Sequence, residues 1–416
     1  MTQSNKLHRA FKALKTANRH QYLLWGLYLF ILGFFLMPKA AGHARLYYLL
    51  VIVPLCFSWA KTLELIRSNT LLKLLALFCT YLVLRSLSAS DVSPSDLLLV
   101  SWHALLVLSF PVTIVLINDF YPEKMDQLLQ STINVAAAFA VLSMTIWYMD
   151  HPFSERLYYW GRMDSPNTGG CVYGLFSILA VHFGLSSKHR PRSLVFFLLA
   201  AILAASVLFT QSRTAISAYS VALFILLLRS YPLVTAPISI IFLIAALMSP
   251  TTYHLLVLNR GLSFRPDIAA HVLQQLSDNW LVGLGLTCEQ AVTISLVSGE
   301  QIQFNHDHGH LLATYRDGGL IALVILASIL IICLFNACKS WVKGQQIYLA
   351  LFAFSLMTLI SIQDRLITRP REHWLYFLLP ISLLIAQLYQ QSKQQGPETR
   401  LLGRVHIKPN KQTGTR

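Results

Sequence analysis

Long apolar runs constrain this chain more than any other feature of its sequence. A helix needs roughly 20 apolar residues to cross the ~30 Å of hydrocarbon in a bilayer. Candidate spans lie near residues 21–38, 46–60, 71–88, 97–117, 131–149, 168–185, 193–209, 213–229, 232–249, 319–337, 346–361 and 374–390. The run at 46–60 is the shortest of them. We predict an all-α, polytopic membrane protein with about 12 transmembrane helices.

Composition agrees with that prediction and excludes a soluble domain. Of the 416 residues, 55% are hydrophobic and only 12% are charged, and the mean hydropathy is +0.55. A water-soluble domain needs far more polar surface than this. The first span follows a basic amphipathic stretch and lacks a small-residue cleavage site, so we expect it to be retained rather than removed as a signal peptide.

Basic residues are distributed unevenly between alternate loops. Both ends of the chain are basic, and so are the short loops with Lys61 and Arg67, with residues 188–192, and with Lys339 and Lys343. The positive-inside bias places this side in the cytoplasm. Orientation and attraction to anionic membrane lipids account for most of the net charge of +15, so we expect no nucleic-acid partner.

The opposite side carries arginines, joined by a single lysine, Lys39. These arginines are Arg156, Arg162, Arg213, Arg260, Arg265, Arg316, Arg365, Arg369 and Arg371. Arginine holds a phosphate with a bidentate fork that lysine lacks. The set as a whole predicts an anion site, although any one member could instead snorkel at a helix end or contact a lipid phosphate.

The spans divide the chain into five segments. They are a basic N-terminal segment (1–20), transmembrane helices 1–9 (21–249), a long outer loop (250–318), transmembrane helices 10–12 (319–390) and a basic tail (391–416). The two basic segments are expected in the cytoplasm.

The outer loop contains one clear periodic pattern. Residues 263–280 predict an amphipathic helix, because apolar side chains recur every four residues, with Leu273 beside them. The recurring residues are Phe264, Ile268, Val272, Leu276 and Trp280. Arg265 lies at the N-terminal end, where backbone N–H groups also favour an anion. We interpret the loop as a lid on the membrane surface; an interfacial helix without a ligand is the alternative.

Two arginines in short outer segments are candidate phosphate ligands. Arg213 occupies a very short turn in "LFTQSRTAISAYS" (208–220), where an arginine is costly to bury unless an anion meets it. An internal salt bridge or snorkelling is the alternative. Arg162, in "YYWGRMDSPNTGG" (158–170), precedes a Pro-Asn turn and is a candidate for substrate contact, although turn chemistry alone explains the residues that follow it.

Three alternating histidines precede the tenth span in "FNHDHGHLLATYRDGGL" (304–320). They allow a metal site, a structural cap on the helix entry, or a general base. The metal site lacks a second ligand group at a recognisable spacing. An imidazole titrates near pH 6.5, which suits proton removal at neutral pH. If the helix begins around His308, that residue shares a face with Leu311 and Leu312; in an extended segment, residues 306, 308 and 310 share one face instead.

Together these motifs resemble the bacterial O-antigen ligases and their O-antigen polymerase relatives. The resemblance lies in Gln211-Ser212-Arg213, in Arg265 opening the amphipathic helix, and in residues 308–312 followed by Gly319-Leu320. "DNWLVGLGL" (278–286) also resembles a family segment. One departure is Gly309, which stands where the family usually has asparagine.

The resemblance implies an inverting glycosyltransferase with a GT-C-like fold in the bacterial inner membrane, and residues 250–318 as its periplasmic loop. The donor is a glycan on undecaprenyl diphosphate, and the acceptor is a sugar hydroxyl of lipid A–core. It implies His308 as the base, His306 in support, and Arg213, Arg265 and Arg162 toward the substrate. No metal or other cofactor is expected, and His310 is expected to be structural.

Two other functions stay open on the sequence. The first is an O-antigen polymerase of the same superfamily, which needs phosphate grips for two lipids; Arg365, Arg369 and Arg371 keep it open. The second, from a different class, is a transporter or flippase for anionic lipids. It predicts charged residues at mid-depth and symmetry between the halves, and the sequence shows neither.

Overall fold

A computed structural model gives the architecture of most of the chain. It describes residues 3–88, 92–163, 165–231, 265–287, 292–295, 301–304, 309–362 and 365–394. Side chains are described in these ranges except at 3–19, 265–266, 292–295 and 301–304. The predicted span at 232–249 therefore lies outside the described residues, as do residues 250–264, 288–291, 296–300 and 305–308 of the predicted loop at 250–318.

The described residues are almost entirely helical, which confirms the predicted all-α class. The helices are α1 (Gln3–Leu36), α2 (Ala40–Tyr47), α3 (Val53–Cys56), α4 (Trp59–Ser68), α5 (Thr70–Leu87), α6 (Pro94–Phe120), α7 (Pro122–Asp150), α8 (Pro166–Ser186), α9 (Arg190–Phe209), α10 (Arg213–Ser230), α11 (Arg265–Gln275), α12 (His310–Val342), α13 (Gln346–Ser361) and α14 (Leu379–Gln394). Short π-helical turns join α2 to α3 and precede α14, and residues 161–163 form a 3₁₀ turn. A small antiparallel hairpin, β1 (Val292–Ser295) and β2 (Gln301–Phe304), was not predicted.

Several of these helices can cross a membrane. Among the described residues, seven are long and apolar enough, and an eighth span is possible if Ala40–Cys56 and Trp59–Ser68 count as one. That pair bends by 85°, because residues 57–58 leave the helix, so 46–60 is not one straight crossing as predicted. The segments His20–Leu36 and Gln346–Ser361 are shorter apolar helices. The predicted count of 12 is not confirmed.

Short-range sequence signals set several helix starts. The Asn69 side chain accepts hydrogen bonds from the backbone N–H groups of Leu71 (3.0 Å) and Leu72 (3.2 Å), capping α5. Ser93 caps α6 in the same way, accepting from the N–H of Asp96 at 3.1 Å. Prolines occupy the first turns of α6, α7, α8 and α9, where their missing N–H costs nothing.

The helix ends form two faces with different basic residues. On the first, Arg162 contacts Glu372 and Arg156 contacts Thr210. The described basic residues of this arginine face are Arg45, Arg85, Arg156, Arg162, Arg213, Arg316, Arg365, Arg369, Arg371 and Lys39. At the other ends of the same helices lie Lys61, Arg67, Lys73, Lys124, Lys188, Arg190, Arg192, Arg229, Lys339, Lys343 and Lys393, which define the lysine face. The partition follows the loop pattern of the sequence.

An aromatic cluster packs the first helices against the last. The Trp374 ring lies 5.1 Å from that of Tyr47 and 5.2 Å from that of Phe110, measured between centroids. Phe30 of α1 completes the group, and all four rings are buried. The Tyr47 hydroxyl is hydrogen-bonded to Ser109 Oγ at 2.8 Å, which satisfies the polar end of a buried ring. This packing fixes the 365–373 segment at the arginine face.

Candidate active site on the arginine face

Arg213 begins α10 in a turn whose backbone is strained. Gln211 adopts a backbone φ of +49°, a value that residues other than glycine rarely adopt. Such strained residues cluster at functional sites. Ser212 is the N-cap, with its Oγ 3.4 Å from the N–H of Ala215. The Arg213 side chain is exposed at the tip. The predicted position in a very short turn is confirmed.

The turn is held by the segment that leads into α8. Arg156 Nε donates to the Thr210 carbonyl at 2.9 Å, and Gln211 Nε2 donates to the Ser154 carbonyl at 2.9 Å. Arg156 also reaches Asn167 Oδ1 with Nη2, at 3.0 Å. That same amide oxygen accepts from Ser212 Oγ at 2.9 Å. Asn167 therefore joins the start of α8 to the turn that presents Arg213.

Arg162 is buried in a network of protein groups. Its Nε donates to Glu372 Oε1 at 2.7 Å, its Nη2 donates to the Pro370 carbonyl at 2.5 Å, and its Nη1 contacts His43 Nδ1. Burial lowers the pKa of this guanidinium, and the adjacent Glu372 carboxylate opposes that shift. Every nitrogen of the guanidinium thus has a protein neighbour. The geometry gives Arg162 a role in joining α2, the 161–163 turn and the 365–373 segment; substrate contact by Arg162 stays a prediction.

Helix α12 is broken at Gly319, and residues 280–286 pass through the break. Gly319 has φ 62° and ψ −162°, so the helix ladder is interrupted there. The Leu320 N–H donates to the Trp280 carbonyl at 3.0 Å, and the Leu284 N–H donates to the Arg316 carbonyl at 2.8 Å. These backbone hydrogen bonds satisfy groups that the broken helix leaves open.

Glycine is required on both sides of this crossing. A Cβ on Gly319 would lie 2.4 Å from the Leu281 carbonyl carbon, and a Cβ on Gly283 (φ +75°) would lie 2.4 Å from the Gly319 nitrogen. No rearrangement of a side chain relieves such contacts, since the neighbours are backbone atoms. The crossing explains structurally why "DNWLVGLGL" and Gly319-Leu320 occur in the same chain.

Charged side chains fix the crossing in place. Asp317 is buried; its Oδ2 lies 3.0 Å from Arg365 Nε, and its Oδ1 lies 3.6 Å from Arg316 Nη2. Arg365 Nη1 also donates to the Leu286 carbonyl at 2.5 Å. From α5, Arg85 donates to the Gly283 carbonyl through Nε and Nη2, at 2.9 and 2.7 Å. Arg316 and Arg365, two of the arginines predicted to form an anion site, therefore contact protein groups at the crossing.

His310 is the first residue of α12 and is fully buried. Its ring centroid lies 5.4 Å from that of His373, which is also buried. The helix begins at His310, after a non-helical Gly309 (φ 150°, ψ 130°), so the condition for His308 to share a helical face with Leu311 and Leu312 is not met. His306 and His308 lie outside the described residues.

The amphipathic helix predicted in the outer loop is present as α11, which begins at Arg265. Ile268, Val272 and Leu276 are buried and pack against Leu284, Leu312 and Tyr315. Their apolar stripe thus covers the first turns of α12. Trp280 is 52% exposed, because α11 ends at Gln275 and the four-residue period does not continue into the following turns. The Arg265 side chain is not among the side chains that the structure describes.

The chain is similar in sequence to a known bacterial protein. No protein-family model matches the chain. It is 27% identical over 380 residues to the O-antigen ligase of Pseudomonas aeruginosa (strain PAO1), an alignment that covers 89% of this chain and 92% of that protein. The resemblance to the O-antigen ligases is confirmed. Together with the long apolar helices, it supports a multi-pass membrane protein and an enzyme of the glycosyltransferase type.

The O-antigen ligase resemblance covers nearly the whole chain, yet sequence reasoning missed several residues that build its arginine face. His43 and Glu372 contact Arg162 from 119 and 210 positions away in the sequence. Asn167 was assigned to turn chemistry alone, and Asp317 was given no role. The one local signal for Asn167 was its place in a Pro-Asn turn close after Arg162.

Proposed function

We propose that this chain transfers an O-antigen glycan from undecaprenyl diphosphate to a sugar hydroxyl of lipid A–core, inverting the anomeric carbon and using no metal. The similarity to an O-antigen ligase over 89% of the chain supports the reaction class. That relative is named as a ligase, so the polymerase and transporter alternatives are not favoured. The proposed site is the arginine face, on the periplasmic side of the bacterial inner membrane.

The position of Arg213 is the observation that carries this proposal. Its side chain is exposed at the first residue of α10, on a strained turn that Arg156 and Asn167 hold in place. An arginine fixed in this way can meet a diphosphate with its bidentate fork. Arg265 would make a second contact from the first residue of α11. Both charges would stabilise the diphosphate as it leaves.

Proton transfer completes the proposed reaction. The acceptor oxygen attacks the anomeric carbon while the bond from that carbon to the diphosphate oxygen breaks. His308 takes the hydroxyl proton, and undecaprenyl diphosphate leaves as an anion without needing a general acid. We place His306 beside it as a supporting hydrogen-bonding group. Arg162, which holds the 365–373 segment, is proposed to contact the substrate as well.

A strain that lacks this protein tests the proposal through its lipopolysaccharide. We expect bare lipid A–core and accumulated lipid-linked glycan, with normal capping restored by the intact gene. Single repeat units attached to the core would indicate a polymerase instead. Normal long-chain lipopolysaccharide would refute both functions.

A further inference from the structure

A cavity of about 420 Å³ opens on the lysine face, at the far end of the bundle from the proposed active site. It lies between the start of α5, the end of α12 and the end of α14. Its volume falls within the roughly 300–1,000 Å³ of small-molecule sites. The transfer reaction has no use for a cavity at this end, because its charged groups lie on the arginine face.

The charge of the lining is positive and uncompensated. Lys339, in the last turn of α12, and Lys343, the residue after that helix, line the cavity, and no carboxylate lines it. Two other lysines of this face are paired: Lys61 lies 3.1 Å from Glu64, and Lys393 lies 2.5 Å from Asp119. Neither Lys339 nor Lys343 forms an ion pair with any residue that the structure describes.

The remaining lining includes neutral polar groups. Asn336, Ser340 and Tyr389 line the cavity, and Ser340 and Tyr389 are buried. The backbone N–H groups that begin α5 are already capped by Asn69, so the lysines carry the attraction for an anion. Lysine binds phosphate as a point charge, and basic pockets between membrane helices hold anionic headgroups.

We propose that this cavity binds a phosphate group, with Lys339 and Lys343 as its cationic ligands. The phosphate belongs either to the headgroup of an anionic phospholipid or to a small soluble phosphate. The site is independent of the proposed glycan transfer and of its active site.

The test compares two double variants of the purified full-length protein. Lys339→Gln/Lys343→Gln removes the proposed ligands. Lys188→Gln/Arg190→Gln removes the same charge from exposed residues of the same face that lie outside the cavity. Thermal unfolding in detergent is followed as inorganic phosphate is titrated at constant ionic strength. In parallel, retention of phosphatidylglycerol from nanodiscs of phosphatidylethanolamine with or without phosphatidylglycerol is measured by native mass spectrometry.

We expect the cavity variant to bind phosphate or phosphatidylglycerol roughly 25-fold more weakly, because each lysine near an anionic surface contributes about fivefold. The control variant should bind as the unchanged protein does. An effect with inorganic phosphate identifies a soluble ligand, whereas an effect confined to nanodiscs identifies a lipid headgroup. Equal loss in both double variants, or no binding by the unchanged protein, would overturn the proposal.

Discussion

At the residue scale, Arg213 offers the sharpest test of phosphate recognition. If it holds a diphosphate through two parallel N–H donors, Arg213→Lys should lose almost as much transfer as Arg213→Ala, because lysine keeps the charge and loses the fork. We expect a loss of about 10- to 100-fold for each, since hydrogen bonds to charged groups contribute about 1.5–3 kcal/mol. Transfer is measured at equal membrane abundance, with the exposed lysine-face change Arg190→Lys as control. Near-normal activity of Arg213→Lys would show that Arg213 contributes only its positive charge and not a bidentate hydrogen bond.

Alanine substitutions of His306, His308 and His310 should have different effects, because the three residues are expected to have different roles. A base that removes a proton in the transition state contributes about 10²–10⁴-fold, so His308→Ala should lose most turnover while still binding the donor. His306→Ala should lose less. His310 is buried at the first turn of α12, so His310→Ala should lower the amount of folded protein more than the turnover of each molecule. Abundance and transfer rate, measured separately, check this ranking; a normal rate in His308→Ala would contradict it.

At the scale of elements, the break in α12 predicts which glycines tolerate a side chain. Gly319→Ala and Gly283→Ala should each destabilise the protein by about 2–5 kcal/mol, through backbone strain and overlap with backbone atoms. Gly344→Ala is the matched control. Its φ is also positive (+92°), but the added Cβ would meet only Arg229 Nη2 at 3.7 Å.

The control should therefore show the conformational cost alone, about 1–2 kcal/mol. The stability of all three variants is measured by thermal unfolding in detergent. If all three variants lose the same stability, overlap between residues 280–286 and α12 does not contribute to the loss.

At the scale of the whole molecule, the basic chain ends and the basic short loops predict its orientation. Reporter fusions near residues 190 and 342 lie on the lysine face and should report the cytoplasm. A fusion near residue 300 should report the periplasm. A cytoplasmic signal there would remove the proposed mechanism, because the lipid-linked glycan would then be presented on the wrong side.

Sequence patterns predicted the local parts of this molecule and missed its long-range contacts. The four-residue period placed Ile268, Val272 and Leu276 on one buried face, as the structure confirms. It failed at Trp280, where the helix has already ended. The helical register considered for His308 also fails, because the next helix begins only at His310. No short-range pattern records that His43 and Glu372 contact Arg162, because such pairing depends on how the helices pack.

The crossing of residues 280–286 with α12 also limits how this protein can be engineered. Gly283 belongs to the outer-loop segment and Gly319 to the helix that follows. A Cβ on Gly283 would overlap the Gly319 nitrogen, and a Cβ on Gly319 would overlap backbone atoms of Leu281 and Val282, in the same outer-loop segment as Gly283. The two positions therefore cannot be changed independently. A chimera that imports an outer loop from a relative must import the first turns of α12 with it, or its donor and recipient must already share both glycines.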